Sequence, residues 1–65
     1  MYYRLACLNE KSEITKTVDA GDDFLAAVNK GAQLRHELNA PYQVDVVSVT
    51  HDGGEHKLAQ LGGFS

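Results

Sequence analysis

Cysteine, proline and positive charge are all scarce in these 65 residues, and each shortage excludes something. Cys7 is the lone cysteine, so no intramolecular disulfide can form, and the cysteine framework of small secreted domains is missing. No apolar run is long enough for a secretory leader or a membrane helix, so a cytoplasmic location is expected. Six Lys and Arg stand against nine Asp and Glu, a formal net charge of −3. Nucleic acid and anionic membranes need basic surface, so neither is an expected partner. A basic protein surface remains compatible.

The motifs of common chemistries are missing too. There is no Gly-x-x-x-x-Gly-Lys and no Gly-x-Gly-x-x-Gly to cradle phosphates. No serine stands in a nucleophile-elbow context, and no acid is paired with a base, so an enzyme is not expected. Three histidines and one cysteine offer few metal ligands, and a structural zinc site wants four. No metal and no cofactor is therefore expected. Cys7 lies on an apolar strand face and reads as a small buried hydrophobe.

What is present is one short, half-apolar domain over residues 1–65, with 43% hydrophobic residues. A chain of this length buries only ~60% of its unfolded surface, so every core residue matters. The longest periodic segment predicts a helix over about 22–39. At about 100° per residue, Phe24, Ala27, Val28, Gly31, Leu34 and Leu38 share one side, with Leu25 and Ala32 at its margin. Such a one-sided stripe packs on a sheet. Asp19, Asp22 and Asp23 precede it, where carboxylates cap free N–H groups and meet the positive end of the helix dipole. Pro41 marks the far limit. Gly31 costs about 1 kcal/mol in a helix relative to Ala, which close approach to the sheet would explain. Arg35 falls only about 20° from Phe24, in mid-stripe. It either snorkels past the sheet edge or pairs with a carboxylate on a partner.

Four strands are predicted, over about 2–8, 13–19, 43–50 and 56–61. The first has Tyr3, Leu5 and Cys7 on one face and Tyr2, Arg4, Ala6 and Leu8 on the other. It and the valine-rich third strand are apolar on both faces, which places them centrally. The second alternates as an edge strand, with Ile14 and Val18 inward and Lys16 as a guard against edge pairing. Asp52-Gly53-Gly54-Glu55 predicts a two-residue hairpin turn, with His51 opposite His56, and residues 62–65 should fray. The resulting fold is α+β with ββαββ order: an antiparallel sheet ordered 2-1-3-4, covered on one face by one helix. The uncovered face holds Tyr2, Arg4, Ala6, Leu8 and several valines. That is ample apolar surface, and it predicts a protein partner or a homodimer.

The elements Tyr2–Leu8, Thr17-Val18-Asp19-Ala20 leading into Asp22–Leu38, Val44–Val49, and the turn Asp52–Glu55 make up a layout that resembles small bacteriophage inhibitor proteins. These include anti-CRISPR proteins that block type I effector complexes and a phage inhibitor of host RNA polymerase. The likeness is one of element order and size, and it covers most of the chain. It implies a phage-encoded, non-enzymatic inhibitor that binds a host nucleic-acid-handling complex in the host cytoplasm. Candidate contact residues, from the surface chemistry, are Tyr2, Arg4, Lys16 and Arg35 with the acidic Asp19, Asp22 and Asp23. A carboxylate array can imitate nucleic-acid phosphates in a basic groove, although acids at turns and helix starts also serve as caps. The competing readings are a stand-alone bacterial dimeric domain of structural or regulatory role and, last, a sheet-face RNA binder.

Overall fold

The computed structural model describes residues 1–37 and 39–63. Leu38, expected on the helix stripe, and Phe64 and Ser65, expected to fray, lie outside the described residues. The elements run β1 (Tyr2–Leu8), β2 (Ile14–Asp19), α1 (Phe24–Arg35), β3 (Gln43–Val49) and β4 (Glu55–Gly62). All pairings are antiparallel and the sheet order is β2-β1-β3-β4, as the apolar patterning predicts. β1 and the valine-rich β3 are the inner pair.

Helix α1 lies across one face. Leu5, Cys7, Ala27, Val44 and Val46 form a core with no exposed surface, and Tyr3, Val18, Val28, Leu34, Ala59 and Leu61 pack around it. Gly31 is where the helix touches the sheet. A Cβ built there would lie 2.7 Å from Leu61 Cδ1, 3.5 Å from Val44 Cγ1 and 3.6 Å from Leu5 Cδ2. The glycine trades helix propensity for close approach, as expected.

The helix is shorter than the 22–39 expected. Asp23 is extended and its Oδ1 accepts from the N–H groups of Leu25 at 3.0 Å and Ala26 at 3.4 Å, so the helix starts only at Phe24. His36 closes the other end: its N–H donates to the Gln33 carbonyl at 3.0 Å, and the next N–H, of Glu37, donates to the Leu34 carbonyl at 3.4 Å. Twelve residues rise ~18 Å, and strands of six to eight residues span a comparable ~20–26 Å. The helix stops when it has crossed the sheet, well before Pro41 forces it to.

Two bulges alter the expected register. In β2, Cys7 pairs with Lys16 but Leu8 pairs with Ile14, leaving Thr15 as the extra residue. Ile14 is thereby moved off the helix side and is 63% exposed, where simple alternation placed it inward. In β4, Val46 pairs with Ala59 and Val47 with Lys57, leaving Leu58 as the extra residue. Both bulges sit in edge strands, where they disrupt the free row of backbone groups that another strand would pair with.

The β3–β4 turn is also longer than a two-residue hairpin. Val49 pairs with Glu55 and Ser48 with His56, so Thr50–Gly54 forms the loop and His51 does not oppose His56. Asp52 is the reason. Its Oδ1 accepts from Gly54 N–H at 3.1 Å and from the Thr50 hydroxyl, a local turn that competes with the tighter hairpin. Gly53 takes the positive φ (87°) this requires. At the sheet's other end β4 continues in order through Gly62, where fraying was expected.

Candidate binding face

The face of the sheet away from the helix reads as four cross-strand rows. From the end where β1 starts, they are Tyr2–Val49–Glu55, then Asp19–Arg4–Val47–Lys57, then Thr17–Ala6–Asp45–Gln60, then Ile14–Leu8–Gln43–Gly62. Directly paired residues of adjacent strands share a face, so each row is a line of neighbouring side chains.

This face is less apolar than its sequence suggests. Ala6 is only 7% exposed and Val49 only 5%, although no helix covers them. They stand among the longer side chains of the same face. Arg4 is at the centre: its Nη1 donates to Glu55 Oε1 at 3.2 Å, its Nη2 donates to the Tyr2 hydroxyl at 2.8 Å, and its Nε lies 4.0 Å from Asp19 Oδ1. Its guanidinium carbon stands 5.7 Å from the Tyr2 ring centroid, within cation–π range. A second group lies further along. Lys57 Nζ meets Asp45 Oδ1 at 3.5 Å and donates to Gln60 Oε1 at 2.6 Å, and Gln43 Nε2 donates to Asp45 Oδ1 at 2.7 Å. The expected broad apolar surface therefore also carries two polar side-chain groups, one around Arg4 and one around Asp45.

The seven candidate residues divide. Tyr2, Arg4 and Asp19 come together in the cluster just described. Asp22 and Asp23 lie in the β2–α1 connection at the same end of the sheet, and Asp23 is the helix N-cap. Lys16 is elsewhere: it pairs with Cys7, on the helix side of edge strand β2. Arg35 is at the opposite end, where its Nη1 donates to the carbonyls of Pro41 at 2.8 Å and Tyr42 at 3.0 Å. Its guanidinium lies against Gly62, where any Cβ would collide with it. Arg35 does leave the apolar stripe at the helix end, and it ties the α1–β3 connection to the last strand. Glu55 was not among the candidates. It lies 51 residues from Arg4, and only the β1–β3–β4 register joins them.

Five of the nine carboxylates gather at one end of the fold. Asp19, Asp22, Asp23, Asp52 and Glu55 all lie where β2 ends, α1 starts and the β3–β4 loop turns. The hydroxyl of Thr50, with the Gly54 N–H, holds the Asp52 carboxyl below its ordinary range. Burial pushes the Cys7 thiol up, against a smaller pull from Lys16, as suits a packed core residue. Among the described residues no group of three or more His, Cys, Asp or Glu is arranged to hold a metal ion, and no helix is long and apolar enough to cross a membrane. At the other end of the sheet, a shallow cleft of about 630 Å³, with Glu10 and Glu13 in its lining, separates the β1–β2 turn from the α1–β3 connection. Asn9 braces that turn by accepting from the Lys11 and Glu13 N–H groups.

No protein-family model, no curated protein and no solved structure matches the chain.

Proposed function

We propose that this chain is a small non-enzymatic binding protein that docks through its helix-free sheet face on a basic protein surface, as an inhibitor of a host nucleic-acid-handling complex. A phage-encoded inhibitor acting on a CRISPR effector is the specific form favoured by the layout resemblance. The observation that carries the reading is the Arg4 cluster. Tyr and Arg are enriched at binding hot spots, and here they are held together in fixed geometry on a face that no other element covers. Fixing them in the free protein reduces the entropy lost on docking.

Two further features support it. Both edge strands carry a bulge and a lysine, Lys16 in β2 and Lys57 in β4, which disfavours a partner added as an extra strand. Contact through side chains on the face is the alternative. The carboxylates at one end would steer a basic partner toward that face, with a rate that falls as salt rises.

The test is affinity capture from bacterial host lysate with the parent and with a Tyr2→Ser, Arg4→Gln double variant, beside sedimentation of each. The parent should sediment as a monomer and retain a nucleic-acid-handling complex that the variant loses. A concentration-dependent dimer that dissociates in the variant would instead support the stand-alone dimeric domain.

A further inference from the structure

We infer that the recess at the foot of the helix-free face is the anchoring pocket of that surface, and that its occupant is an arginine side chain of the partner protein. The inference rests on the docking reading above and specifies the chemistry of its central contact. The recess holds about 520 Å³ and is lined by Met1, Tyr2, Val49, Thr50, His51 and Gly53. It forms where β1 begins beside the Thr50–Gly54 loop.

Its composition is two-sided. Met1, Tyr2 and Val49 supply apolar lining, and Met1 is 61% exposed. Carboxylates stand beside that lining. Glu55 is the ladder partner of Val49, and Asp52 belongs to the loop that forms the wall. The Glu55 side chain is 54% exposed, so it can accept a second donor alongside Arg4. An apolar occupant would leave these acids beside a dry contact, and an acidic occupant would be repelled. A cation with a long aliphatic stem satisfies both parts. Arginine is favoured over lysine because its flat guanidinium stacks on aromatic faces and forks onto carboxylates. Arg4 already makes a simpler version of such a contact, with one Nη1 bond to Glu55 Oε1 and its guanidinium carbon 5.7 Å from the Tyr2 ring centroid.

The probes are blocked oligo-arginine and oligo-lysine peptides, titrated into the isotopically labelled chain and followed through its amide resonances. Oligo-arginine should give saturable shifts at residues 1–2 and 49–55, with at least several-fold tighter binding than oligo-lysine. Glu55→Gln should weaken both peptides, and Tyr2→Leu should weaken arginine binding while leaving lysine binding nearly unchanged. Thermal melting of each variant establishes that it is folded; if Tyr2→Leu is not, the Glu55→Gln titration and the parent's peptide preference decide. Equal response to the two peptides, or shifts centred on Asp22 and Asp23, would overturn the inference. Silence toward both peptides while lysate capture persists would overturn it too and leave the docking reading intact. Loss of capture as well would remove both.

Discussion

The two faces of this sheet bury apolar atoms by different means. On one, a helix lies close enough that Gly31 has no room for a side chain, and five residues are wholly enclosed. On the other, Ala6 and Val49 are almost as buried, yet no helix lies over them and the face carries Arg4, Tyr2 and their polar neighbours. The first kind of burial removes water on both sides of a contact and tolerates little change in volume. The second is a layer of long side chains, each held by one or two hydrogen bonds in contact with solvent. Stability should therefore be concentrated on the helix side. The open side is left with residues that can be exchanged without losing the fold, which is what a binding surface needs.

Substitutions can break or sharpen that contrast. The largest effect is expected for Leu5→Ala, which leaves a cavity under the helix and should cost about 2–5 kcal/mol. In a domain of this size that is a large part of the total, and chemical denaturation should show a variant that is partly unfolded in water. Gly31→Val comes next. The added methyls must displace Leu61 and press on Val44, for a loss of about 1–3 kcal/mol, again read by denaturation. On the open face, Arg4→Gln should cost under about 1 kcal/mol, because its ion pairs face solvent. If Arg4→Gln proves as damaging as Gly31→Val, the two faces are not different in kind.

The smallest effect concerns Asp52 and pH. Its folded pKa lies below the ordinary value, so its stabilising contribution is present above the unfolded pKa and is lost as pH falls through the folded one. Asp52→Asn should flatten that acid limb of the melting-temperature profile while changing little on the helix side. An unchanged acid limb would show that the Thr50 and Gly54 contacts do not hold the loop.

Sheet order, strand placement and the reason for Gly31 were legible because they follow from patterns that repeat along the chain. Val44, Val46, Leu5 and Cys7 announce themselves by alternation. Ile14 did not, since a single extra residue, Thr15, reverses the side on which it falls. The hairpin was misread because Gly53-Gly54 is a strong turn signal, and the Asp52 side chain that overrides it acts through hydrogen bonds no spacing rule encodes. The candidate site was half legible. Tyr2 and Arg4 share a strand face, so their meeting could be anticipated. Glu55 could not be joined to them without the register of three strands. Arg35 was visible as an anomaly in the helix stripe, but its use in holding Pro41 and Tyr42 required the path of the connecting chain.

The claim that binding belongs to the helix-free face is tested most directly by hydrogen exchange on the complex with a captured partner. Added protection should appear in residues 1–4, 17–19 and 49–57, with none on the outer turns of α1 around Asn29 and Lys30. Protection confined to α1, with the Arg4 strand exchanging as in the free protein, would contradict it.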